Sequence, residues 1–97
     1  MASKGDAYIK FEEVAAGAKL TIRPDSGNEL ILHNITCEAK ITVVRTNGVL
    51  ELQMFEHTPG ANLLAYYDFH LTNTSYIEIT NGDAAAKNIC ANGIVSK

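Results

Sequence analysis

Apolar and polar residues alternate along most of this chain with a period of two, the repeat of a β-strand with one buried face. In residues 18–23, Ala18, Leu20 and Ile22 fall on one side and Lys19, Thr21 and Arg23 on the other. Residues 8–11 place Ile9 and Phe11 on one side, and residues 75–80 set Ile77 and Ile79 inward. In residues 62–71, Leu63, Ala65, Tyr67, Phe69 and Leu71 form an apolar side, and Leu64, Tyr66, Asp68 and His70 an amphipathic one. Residues 29–35 are apolar on both sides of the period. Such a run fits a central strand covered on both faces, or one whose second face meets another subunit.

Residues 39–56 carry the clearest folding signal. Two β-rich runs flank Asn47-Gly48, the pair that favours a type I′ turn with φ > 0 at both central residues. A two-residue loop there predicts that Ile41 faces Met54, Val43 faces Leu52 and Arg45 faces Leu50. The opposite face then pairs Thr42 with Gln53, Val44 with Glu51 and Thr46 with Val49. Arg45 and Glu51 read as surface charges beside the turn.

Other turns fall at Pro24-Asp25-Ser26-Gly27-Asn28, His57-Thr58-Pro59-Gly60, Thr72-Asn73-Thr74 and Asn81-Gly82-Asp83. Residues 12–17 are rich in Glu and Ala and are open to a single helical turn or to strand. Residues 84–87 suit one helical turn or a loop. A further Asn-Gly, at Asn92-Gly93, predicts a terminal hairpin. The expected fold is all-β, a small antiparallel β-sandwich or β-barrel of seven to nine short strands with Asn-Gly hairpins. Residues 1–6 are small and polar and are expected to be a flexible N-terminal arm ahead of a single β domain at 7–97.

A 97-residue chain makes one domain. Its formal charge of −3, with Lys and Arg scattered singly, argues against nucleic acid or an anionic membrane as partner. No apolar run approaches the roughly 18 residues of a membrane span. Residues 1–6 lack the apolar stretch of a signal peptide. Synthesis in a reducing cytoplasm is therefore expected, with Cys37 and Cys90 as free thiols.

Catalytic chemistry finds little support. Asp68 and His70 share a strand face that His57 could approach, but metal sites call for three or more converging ligands. Nothing activates Cys37 or Cys90 beside His33 or His70. Asn81-Gly82-Asp83 starts like a calcium loop, but Ala84-Ala85-Ala86 stands where further ligands belong. No enzyme activity, metal or cofactor is expected. Interaction remains. With 46% hydrophobic residues the chain holds more apolar side chains than one small core absorbs. Ile31, Ile35, Leu64, Tyr66 and Tyr76 lie opposite the inferred core side and are the candidates for an oligomer or partner contact. A competing class is a carbohydrate- or host-surface-binding module using Tyr66, Tyr67 and Asp68.

The run Phe69-His70-Leu71-Thr72-Asn73-Thr74-Ser75-Tyr76-Ile77-Glu78-Ile79-Thr80-Asn81, followed by Asn88-Ile89 and Asn92-Gly93-Ile94-Val95, resembles small all-β virion accessory proteins of tailed bacteriophages. The likeness covers about a third of the chain and lies in the texture of strands and turns. It implies a capsid decoration, or cement, protein on the outer capsid surface of the virion. Such a protein forms homo-oligomers, commonly trimers, binds the major capsid protein and stabilises the head. It also implies that the N-terminal arm, together with Tyr8, Lys10 and Phe11, adds to a neighbouring surface or sheet edge.

Overall fold

The computed structural model describes residues 3–38, 40–57, 63–64 and 69–97. Among these residues the chain forms strands and turns and no helix. The strands are β1 (Ala7–Val14), β2 (Lys19–Ile22), β3 (Glu29–Cys37), β4 (Ile41–Thr46), β5 (Glu51–His57), β6 (Leu63–Leu64), β7 (Phe69–Thr72), β8 (Tyr76–Asn81) and β9 (Lys87–Val95). They build two antiparallel sheets, as expected of a small β-sandwich. The first runs β1-β9-β3, and β6 and β7 take successive stretches along the far edge of β3. The second runs β2-β8-β4-β5.

The alternating pattern delivers the core. Leu20 and Ile22 of β2, Ile77 and Ile79 of β8, and Ile41 and Val43 of β4 point inward from the second sheet. They meet Leu30, Leu32, Ile35 and Cys37 of β3, Ile89, Ala91 and Val95 of β9, and Phe69 and Leu71 of β7. Each fully buried aliphatic side chain contributes roughly 1.5–3 kcal/mol of transfer free energy. Of the buried polar residues among those described, Asn28, Thr46 and Asn81, only Asn81 is fully enclosed. Asn81, at the end of β8, donates from Nδ2 to the carbonyls of Val14 (2.8 Å) and Ala85 (3.0 Å). Its Oδ1 accepts the Asp83 N–H at 2.9 Å. A buried amide with three partners ties the ends of β1 and β8 to the turn before β9.

The β4–β5 hairpin exists, but in a different register from the one a two-residue turn predicts. Asn47 does not take positive φ; among residues 47 and 48 only Gly48 does, at 95°. Instead Asn47 Oδ1 accepts the N–H groups of Val49 (2.9 Å) and Leu50 (2.7 Å), an Asx-type turn that opens the loop to residues 47–50. Thr46 therefore faces Glu51, and Arg45 faces Leu52. A bulge at Met54 then sets Val43 opposite Phe55. Arg45 is a half-buried charge with fixed partners: its guanidinium donates to Ser75 Oγ at 2.9 Å and to the His70 carbonyl at 3.2 Å.

The terminal hairpin at Asn92-Gly93 is absent, because β9 runs straight through it. The glycine answers to crowding, not to a turn. A Cβ on Gly93 would run into the Ile31 carbonyl oxygen and lie 2.7 Å from Leu32 Cα. At that point β3 bulges: Leu32 faces Gly93 and Asn34 faces Asn92, with His33 as the extra residue. Residues 12–14, open to helix on composition, continue β1, and the chain reverses over 15–18 with Gly17 at φ 75°. Residues 3–6 form a turn against β9, in which the Gly5 N–H donates to the Val95 carbonyl at 2.7 Å.

Candidate functional site

The outer face of the first sheet is where side chains collect that the core does not use. Strand alternation sets Ala7, Ile9, Phe11 and Glu13 of β1 outward, against Ile94, Asn92, Cys90 and Asn88 of β9. Beyond β9, Ile31, Asn34 and Thr36 of β3 continue these rows. Ile9 is 69%, Phe11 66% and Ile94 36% exposed. Ile31 is half-buried between Ile94 and His70. The two asparagines at the centre satisfy each other, Asn92 Nδ2 donating to Asn34 Oδ1 at 2.7 Å. The rim is charged: His70 Nε2 meets Glu29 Oε1 at 2.8 Å, and Lys97 Nζ lies 3.7 Å from Glu29 Oε2. Beside Phe11 a shallow depression of about 190 Å3 is lined by Thr36, Glu38, Asn88 and Cys90.

This surface keeps some of the expected contact residues and loses others. Phe11 and Ile31 belong to it. Ile35 does not: it is fully buried, since the bulge at His33 shifts every later residue of β3 to the opposite face. Tyr76 is also removed, at 9% exposure. It starts on the outer side of β8, but the Arg23 guanidinium lies 4.5 Å above its ring and the Gly48 turn closes in beside its hydroxyl. Leu64 lies in β6 opposite Thr36, with its side chain outside the described residues, as are Tyr66, Tyr67 and Asp68.

Tyr8 and Lys10 occupy the inner side of β1, at the open rim of the sandwich. The Tyr8 ring packs on the core. Burial pushes its phenol up from the ordinary value, with smaller contributions from the Asp25 and Glu12 carboxylates. Lys10 Nζ donates to the Thr21 carbonyl at 3.1 Å, joining β1 to β2 across the two sheets, and lies 3.8 Å from Glu12 Oε2. Ile9 and Ile94 are the residues that sequence reasoning missed. Ile9 shares its side with Phe11, so the pattern holds the signal; which side faces water depends on β1 being an edge strand.

The cysteines sit on opposite faces of one sheet, Cys37 inward and Cys90 outward, and no disulfide joins them. Among the described residues no three His, Cys, Asp or Glu side chains are placed to share a metal ion. A second apolar spot lies at the hairpin tip, where Val49, Leu50 and Leu52 are exposed. A flat apolar face with a polar rim suits the burial of area against another protein. Among the described residues its one concavity is the shallow depression beside Phe11. Comparison with known proteins returns no matching family model and no matching curated protein.

Proposed function

We propose that this protein is a non-enzymatic structural protein that docks through the outer face of its first sheet onto a larger protein assembly. We further propose that this assembly is the capsid of a tailed bacteriophage, where the protein binds the major capsid protein on the outer surface and reinforces the head. The observation that carries the docking role is the shared outward side of Ile9, Phe11, Ile31 and Ile94. Scattered apolar residues are ordinary on any surface, but four on one sheet face, set around the self-satisfied Asn92–Asn34 pair, can bury area together against a partner. The capsid as the partner is supported by the resemblance of residues 69–95 to decoration proteins.

The test is co-sedimentation with phage heads stripped of accessory proteins. Wild-type protein should pellet with the heads to saturation. Ile94→Asp, which places a charge on an exposed position, should lower the affinity by about tenfold or more. Lys19→Glu, on the other sheet, should bind as wild type does. Wild-type protein left in the supernatant, or Ile94→Asp binding normally, would overturn the proposal.

A further inference from the structure

The edges of the two sheets are unequally protected. β2 has four residues and runs toward Pro24, β5 is interrupted by its bulge, and the far side of β3 carries two short pieces. Each is a recognised way of blunting an edge. β1 has none of these backbone devices: it is eight residues long, unbroken and free of proline, its edge carries charge only in Lys10, Glu12 and Glu13, and among the described residues its one strand partner is β9. Val95 N–H donates to the Asp6 carbonyl, which fixes the phase of the ladder. Even-numbered residues of β1 bond β9, so Ala7, Ile9, Phe11 and Glu13 turn their N–H and C=O groups to the open edge.

We propose that two copies of this chain join edge to edge, β1 against β1 and antiparallel, centred on Phe11. Only pairings that set odd residues opposite odd ones satisfy the free backbone groups. Centring on Lys10 meets that condition but sets the two Lys10 ammonium groups face to face. Centring on Phe11 sets Lys10 of each copy opposite Glu12 of the other. These are non-hydrogen-bonded pairs, where cross-strand side chains come closest. On the outer face the two Phe11 rings meet, an aromatic cross-strand pair. Ile9–Glu13, Phe11–Phe11 and Glu13–Ile9 then exchange about six backbone bonds. The charge pattern of Lys10 and Glu12 is thus complementary to a rotated copy of itself. The two-fold axis stands perpendicular to the sheet, so both apolar outer faces look the same way and form one surface of twice the extent.

This pairing is independent of what the outer face docks onto, and it departs from the threefold arrangement that the phage resemblance implies. It is tested by sedimentation equilibrium of the full chain across a wide concentration range. Wild-type protein should be a dimer. Lys10→Glu and Glu12→Lys should each weaken self-association roughly tenfold, because both symmetric ion pairs become like-charge pairs. Mixed in equal amounts, the two variants should recover a dimer that native mass spectrometry identifies as the heterodimer. Glu12 is exposed, so its reversal tests the pairing even if losing the Lys10–Thr21 bond disturbs the fold. A monomer or trimer for the wild type, Glu12→Lys pairing undiminished, or a mixture of two folded variants that stays monomeric would each overturn the proposal.

Discussion

The outer face of the second sheet carries Lys19 and Thr21 of β2, Glu78 and Thr80 of β8, and Thr42 and Val44 of β4. Lys19 and Glu78 form an exposed pair at 3.7 Å. On the first sheet the corresponding face carries Ile9, Phe11, Ile31, Ile94 and Cys90. The inner faces of the two sheets are alike in chemistry, and the same strand period generates both. The difference therefore lies in where the surplus of apolar residues falls: on the first sheet it lies on the outer face, and on the second it lies at the tip of the β4–β5 hairpin. A β-sandwich needs only its inner faces to be apolar, so the core does not require this asymmetry.

The sharpest way to break this comparison uses two isoleucines of one strand. Ile35→Ala, in the core, should cost about 3–4 kcal/mol in denaturant unfolding. Ile31→Ala, half-buried on the outer face, should cost less than about 1 kcal/mol. Equal losses would mean that the outer face is sealed like a core. Next in size is Gly93→Ala. Its methyl group meets β3 backbone at the bulge, and a backbone collision that cannot relax costs about 2–3 kcal/mol. The thermal midpoint should fall accordingly; an unchanged midpoint would show that the bulge yields easily.

The smallest effect concerns Tyr8, the inward neighbour of outward Ile9. Its raised pKa means that the folded protein keeps the phenolic proton after the unfolded chain has released it. The stability held there is intact below the ordinary value near 10 and is lost as pH rises through the raised one. Thermal unfolding followed upward from about pH 9 should therefore fall less steeply for Tyr8→Phe than for wild type. Parallel curves would place Tyr8 in water.

Most of the architecture was legible in the alternating pattern, because a period of two with turn residues between runs admits few alternatives to antiparallel sheets. What escaped were the single-residue events. The bulge at His33 reverses the faces of β3, and nothing in Leu-His-Asn-Ile marks it, so Ile35 was assigned to the wrong side. Asn92-Gly93 has the composition of a turn, yet here the glycine serves a close approach between strands. Asn47-Gly48 does turn the chain, but with the Asn side chain taking over hydrogen bonds that a type I′ turn would leave to the backbone. Tyr76 obeys its parity and is buried all the same, by Arg23 from β2's end. In β1 each side carries both apolar and charged residues, so pattern alone cannot choose between Ile9 with Phe11 and Tyr8 with Lys10. Only the strand's place at the edge decides it.

The pairing of β1 with β9 also sets a timetable. β1 is made before β9, the strand that completes it, so Ile9 and Phe11 stand in an unpaired segment while β2 through β8 are made. At roughly 5–20 residues per second that wait lasts seconds, far longer than a hairpin takes to close. By its end all four strands of the second sheet, β2, β4, β5 and β8, have been made ahead of β9, so that sheet can form first and offer its inner face as a template. The apolar residues most exposed on β1 in the finished protein, Ile9 and Phe11, are thus also among those longest without a partner strand while it is made.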